Sequence, residues 1–253
     1  MVLGTLQTSK KALGFFILTL FIFSSFLLTA SAQVELIENG DFETGDFTGW
    51  IVVNEPGGSG DWFVYTGTTS PASASIVLAP PVGDFAAIAD SGGPGSHLLY
   101  QDIDVPAGAT LVTCSAIVYY SNSSADFIIG PDLSFAGPPN QQARIDLMDP
   151  NAPDFDIGAG VLENLFQTMP GDPDVLGYTI LNFDLTDFAG TTVRFRAAEV
   201  DNQFFFQFMV DDVTCEAIQP ANVPTLSEWG LIAMASILGI VGFIVMRRRQ
   251  VIA

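Results

Sequence analysis

The stretch Gln203 to Glu216, "QFFFQFMVDDVTCE", alternates in a way that only an extended strand can use. Side chains of a strand point to opposite faces in turn, so Phe204, Phe206, Phe208 and Val210 form one apolar stripe. Just upstream, "TVRFRA" (192–197) repeats the pattern. Val193, Phe195 and Ala197 face a core, and Arg194 and Arg196 share the outer side. In "ARIDLMD" (143–149), Ile145 and Leu147 point one way, while Arg144, Asp146 and Met148 point the other. Further short runs bounded by Gly, Pro, Asn and Asp predict strands at 34–37, 50–53, 62–66, 84–89, 98–105, 110–120, 127–129 and 179–185. A lone short helix is expected at 161–168. Many short strands without alternating helices mean an all-β sandwich.

The body of the chain, residues 33–222, is one domain's worth of sequence and is rich enough in Phe, Val, Ile and Leu to fold. It carries 27 of the 28 acidic residues, only three arginines (Arg144, Arg194, Arg196) and no lysine, a net charge of −24. Such a surface repels nucleic acid and suits divalent cations. Cys114 and Cys215 are the only cysteines. In an oxidising compartment an isolated pair reads as one disulfide, with a free buried pair as the alternative. The bridge would close a loop of about a hundred residues, worth on the order of 4 kcal/mol in the chain-entropy model. With one histidine, His97, the two cysteines do not make a zinc set.

Both ends look like delivery devices. Lys10 and Lys11 precede an apolar run from Ala12 to about Leu28, and Ala30-Ser31-Ala32 supplies a small-residue cleavage site. This predicts a signal peptide over 1–32, with an uncleaved anchor as the alternative. At the other end, residues 230–246 ("GLIAMASILGIVGFIVM") carry no charge and predict a membrane-spanning helix. Trp229 marks one boundary; Arg247, Arg248 and Arg249 mark the other and are expected on the cytoplasmic side.

The residues Val223-Pro224-Thr225-Leu226, then Trp229-Gly230, the apolar run and the arginine cluster resemble the C-terminal sorting signal called IPTL-CTERM, with Val223 in place of its leading Ile. The resemblance spans 223–253. It implies handling by an exosortase-like transpeptidase that cuts the helix away and delivers the domain to the cell surface or extracellular matrix.

A second resemblance covers most of 37–217. The opening "NGDFETGDFTGW" (39–50), the run "GDFAAIADSGGPGSHLLYQDIDVPAGATLV" (83–112) and the closing "FMVDDVTC" (208–215) look like the galactose-binding-like jelly roll used by carbohydrate-binding modules. Carried over by position, it implies a structural calcium ion held by Glu43 and Asp211, with Asp212 as substitute for Asp211 and backbone carbonyls completing the set. The alternative is that these acids cap turns and face solvent. A second acidic run, Asp149, Asn151, Asp154 and Asp156, lacks the Gly and Glu of a calcium loop and reads as a solvated turn.

Sugar recognition needs exposed rings and polar groups that fix hydroxyls. Trp62, Tyr65, Tyr119 and Tyr120 are the aromatic candidates, each with core packing as the alternative. Arg194 and Arg196 are candidates for sugar hydroxyls or a carboxylate, with cross-strand ion pairs to Asp146 or other acids as the alternative. Trp50 is read as core. Ser96 and His97 are adjacent on a strand and point apart, and no nucleophile elbow is present, so the expectation is a non-enzyme. Two functions remain open: a module that binds extracellular polysaccharide, and a structural or adhesive matrix component without a sugar site.

Overall fold

A computed structural model describes residues 31–220 and 226–250. Nearly all of the expected signal peptide, and Val223, Pro224 and Thr225 of the sorting motif, lie outside the described residues. The sandwich, Ala32–Gln219, is a compact unit by itself. Its strands are β1 (Ser31–Glu35), β2 (Ile51–Asn54), β3 (Asp61–Tyr65), β4 (Ala86–Asp90), β5 (Gly95–Asp104), β6 (Leu111–Asn122), β7 (Gln141–Met148), β8 (Val161–Gln167), β9 (Val175–Asp184), β10 (Thr192–Asp201) and β11 (Phe206–Pro220).

One sheet runs β3-β4-β11-β6-β9, with β1 paired to β11; the other runs β2-β5-β10-β7-β8. Every registered pair is antiparallel. Between the sheets lie Val193, Phe195 and Ala197 of β10, Ile145 and Leu147 of β7, and Phe206, Phe208 and Val210 of β11. Three expectations need correction. Residues 161–167 form β8, not a helix. Residues 127–129 contribute only an isolated bridge, Ile128 to Gln141. The stripe of β11 starts at Phe206, which leaves Phe204 outside the core.

The two ends of the sandwich sequence meet. Val213 N donates to Gly40 O at 2.9 Å, and a Cβ on Gly40 would overlap the Val213 carbonyl, so only glycine fits there. Phe42 and Trp50 then enter the core with ring centroids 5.2 Å apart, and Trp50 Nε1 donates to Asn39 O. Cys114 and Cys215 face each other across β6 and β11, Cα atoms 4.1 Å apart, and are joined by a disulfide.

Both outer faces are covered in part, and the outer side of β9 stays open at Tyr178 and Ile180. The 66–85 segment lies over the first sheet, where Val77 packs with Tyr65, Ile88, Tyr119 and Met209. Loops 123–140 and 149–160 lie over the second, where Leu133, Phe135, Phe155 and Ile157 pack on Leu98, Ala198 and Val200. This is why β7 is buried along its whole length despite its alternating sequence.

The second unit contains helix α1, Leu226–Gln250. Within it, Trp229–Arg247 is long and apolar enough to cross a membrane.

Candidate functional site

Glu43 and Asp211 both engage the 80–85 segment. Glu43 Oε1 accepts from Asp84 N and Phe85 N, each at 2.8 Å. Asp211 Oδ2 accepts from Val82 N at 3.4 Å, and its Oδ1 accepts from Asp212 N at 2.8 Å. Gly83, at φ +63°, packs so closely on the Glu43 carboxylate that a Cβ there would overlap it. Sequence reasoning missed Gly83 because its role is a close approach from a distant loop.

Asp211 is fully buried, and among the described residues no cation pairs with it. Burial first, then repulsion from Asp212 and Glu43, push its carboxyl up to about 7. Asp212 sits in the β11 bulge at φ +47°. It lines a separate shallow pocket of about 200 Å³ with Glu35, Asn39 and Asp41. Among the described residues no three His, Cys, Asp or Glu side chains are grouped to hold a metal. The groups shown at this seam are therefore two carboxylates, each with lone pairs to spare, and the loop amides that donate to them. The carboxylates are hard-oxygen donors of the kind calcium accepts.

The sequence-nominated aromatics are not ligand platforms here. Trp62, Tyr65, Tyr119 and Tyr120 are all buried. Trp62 packs on Phe208, and Tyr120 packs on Phe127 and Phe206. Tyr65 and Tyr119 face outward from their sheet but are roofed by the 66–85 segment. Stacking on a pyranose needs an open ring face, and covered strands offer none.

Arg194 and Arg196 are likewise buried beneath the 149–160 loop. Arg196 Nη2 pairs with Asp146 at 2.5 Å, and its Nη1 donates to Asp154 O and Asp156 O. Arg144 holds both Asp146 oxygens, Nε on Oδ2 and Nη2 on Oδ1, each at 2.7 Å. Arg194 pairs with Asp102 and Asp154, each at 2.6 Å, and lies 3.8 Å over the Tyr100 ring. The Asp154 carboxylate therefore binds an arginine, whereas the carboxylates of Asp149 and Asp156 cap their own turns. No arginine of the sandwich is left to meet a ligand anion.

Apart from Tyr178 on β9, 45% exposed, the open aromatics of the described sandwich lie as a pair at the end where β10 turns into β11. Phe204 is 58% and Phe205 37% exposed, with ring centroids 5.1 Å apart. With Gly93, Pro94, Asp201, Asn202 and Gln203 they line a cleft of about 170 Å³. Its floor is built firmly. Gln141 Nε2 donates to Phe204 O, and Gln141 Oε1 accepts from Gln203 N. Asn202 Nδ2 donates to Phe135 O and Pro138 O. The 91–95 wall is tied to Asp201, whose Oδ1 accepts from Gly95 N at 3.0 Å. Ser91 Oγ stands 2.5 Å from Asp201 Oδ2 and 2.7 Å from Gly93 O. One hydroxyl proton cannot serve both acceptors. A protonated Asp201 donating to Ser91, which donates onward to Gly93, satisfies all three groups. Burial pushes the Asp201 carboxyl up to about 7, consistent with that arrangement.

Behind this wall lies Glu199, fully enclosed, with neither carboxylate oxygen hydrogen-bonded. Burial, with Asp201 and Asp90 nearby, holds its carboxyl well above the usual range. His97 lies opposite Glu199 in the strand register. Its Nδ1 meets Asn54 Oδ1 at 2.8 Å and its Nε2 meets Ser59 O at 2.9 Å. Ser96 points to the other face and donates to Leu133 O.

A family model for the IPTL-CTERM motif matches residues 221–249. No curated protein matches the chain. Among solved structures, the chain is similar to TmCBM61, determined with β-1,4-galactotriose, at 13% identity over 72% of this chain and 97% of that one, TM-score 0.43. It is similar to the K3 cleaved adhesin domain of Lys-gingipain from Porphyromonas gingivalis at 15% identity, over 73% and 99%, TM-score 0.46. A structure of promiscuous carbohydrate-binding modules from the β-sandwich superfamily matches at 18%, over 68% and 59%, TM-score 0.39. Identities and scores this low say nothing of ligand for this chain.

Proposed function

We propose that this is an exported bacterial surface or extracellular-matrix protein whose sandwich binds polysaccharide at the Phe204–Phe205 cleft. The observation that carries the reading is that aromatic pair, left open in a cleft beside polar backbone and side chains. A sugar ring offers an apolar C–H face and a rim of hydroxyls, so it needs a ring to lie on and acceptors beside it. Gln203 Oε1, which accepts no hydrogen bond among the described residues, is one such acceptor.

Delivery in this reading uses both termini. The signal peptide exports the chain. The apolar helix then holds it in the membrane with the arginines inside, until an exosortase-like transpeptidase cuts near the sorting motif. Calcium, in this reading, is a structural ion held by Glu43 and Asp211 with backbone carbonyls of the neighbouring loop. It would supply the positive charge that the buried Asp211 otherwise lacks.

A glycan array probed with residues 32–219, which hold a closed core of their own, tests the proposal. Selective signal lost in Phe204→Ser/Phe205→Ser supports it. Flat signal across all sugars leaves the protein as a structural or adhesive component.

A further inference from the structure

The shape of the cleft says more than that a glycan docks there, and this step rests on the glycan reading above. We infer that the cleft takes a single neutral sugar residue at the end of a glycan, not a stretch of chain.

Three observations lead to this. The first is angle: the planes of Phe204 and Phe205 meet at 57°, so the two rings form a corner, not a coplanar strip. Consecutive sugars of a linear chain need flat platforms spaced along a groove. A corner holds one ring on one face and abuts its edge with the other. The second is size. At about 170 Å³ the cleft is well below the roughly 300–1,000 Å³ of pockets that enclose drug-sized ligands, and it suits one ring with its hydroxyls. Among the described residues, the strands that flank it are covered: the 66–85 segment lies over Ile88 and Met209, and the 123–140 and 149–160 loops lie over Leu98 and Val200, while the open side of β9 is at the far edge of the first sheet.

The third is charge. Among the described residues, Asp201 is the only ionisable one lining the cleft, and no cation lines it. All three arginines of the sandwich are committed to ion pairs beneath the 149–160 loop. A uronate or sulfated sugar would enter a strongly anionic domain with nothing to pair its charge. A neutral ring loses nothing by the absence of a cation and gains the Phe204 face.

Calorimetry on the sandwich tests this with defined probes: methyl glycosides of galactose, glucose, mannose and N-acetylglucosamine, their linear tetrasaccharides, and tetragalacturonate. The expected result is at least one methyl glycoside that binds within about threefold of its tetrasaccharide, because the extra residues hang in solvent. Phe204→Ala weakens both by about tenfold, the value of one lost stacking contact, while Ile180→Ala on the exposed face of β9 changes neither. Tetragalacturonate does not bind. Tetrasaccharides that bind ten or more times tighter than their methyl glycosides, or uronate that binds as well as neutral sugar, overturn the inference and leave the glycan reading standing. Binding of none of these probes overturns both.

Discussion

Glu43 and Asp211, far apart in the chain, reach the same short segment: Glu43 takes the amides of Asp84 and Phe85, and Asp211 takes that of Val82. Two carboxylates converge there without a cation, and one of them is fully buried. Calcium is therefore expected to raise the thermal midpoint, by about 2.7 kcal/mol of stability at a hundred times its dissociation constant. Asp211→Asn should abolish that shift while leaving the calcium-free protein at least as stable at pH 8, since the amide replaces a carboxylate that burial disfavours. Melting curves in calcium and in EDTA decide it; an unchanged midpoint in the wild type removes the ion from the account.

Acid should stabilise the sandwich. Asp201 and Asp211 are pushed up to about 7 and Glu199 is also raised, all chiefly by burial. A carboxyl whose folded value lies above its unfolded one contributes its full stability below the unfolded value, near 4, and loses it as pH rises through the folded value. In calcium-free buffer, stability should thus fall between pH 5 and pH 8. The part due to Asp201 is at most about 4 kcal/mol. Glu199→Gln should flatten this slope and raise the midpoint at pH 8, where the unpartnered carboxylate costs most. A midpoint that climbs steadily from pH 5 to pH 8 would contradict these directions.

The Cys114–Cys215 bridge joins partners 101 residues apart in sequence. Loop closure on that scale is worth about 4.7 kcal/mol in the chain-entropy model. Cys114→Ser/Cys215→Ser should lower the midpoint of denaturant unfolding accordingly. Thiol labelling of denatured, unreduced protein should find no free thiol; two would refute the bridge.

Asp146 is the hub of the buried ion pairs and is shared by Arg144 and Arg196. Asp146→Ala strands both guanidinium groups and should cost about 3–5 kcal/mol. The loss should be visible in chemical denaturation, with protease cutting increased in the 149–160 loop that Arg196 holds. A loss under about 1 kcal/mol would show that the pairs are solvated.

Much of the architecture was legible because period-two alternation reports which side a residue takes. It put Phe195 and Val193 in the core and Arg194 and Arg196 on the other side, as found. Alternation is silent on what covers that other side. Tyr65 and Tyr119 were candidates for ligand contact as aromatics and the arginines as outer-side residues, yet long loops roof all four. Phe204 was counted in the β11 stripe, but the ladder begins at Phe206, and the two preceding rings swing free at the turn. Residues 161–167 lack helix-breaking residues, yet pairing with β7 makes them a strand, as tertiary contacts override weak local preference. The resemblance implied that the Glu43 segment meets the Asp211 strand, but the contacts of Gly40 with Val213 and of Glu43 with the Gly83 turn were not visible, since neither spacing nor composition reports them.

Ring-proton chemical shifts test the central claim most directly. With the tightest sugar from the array added to labelled sandwich, the signals of Phe204 and Phe205 and the side-chain amide of Gln203 should move and saturate together. Those of Trp62, Tyr65, Tyr119 and Tyr120 should hold still. Movement confined to residues over either sheet, with Phe204 and Phe205 unchanged, would contradict a binding cleft at the β10–β11 turn.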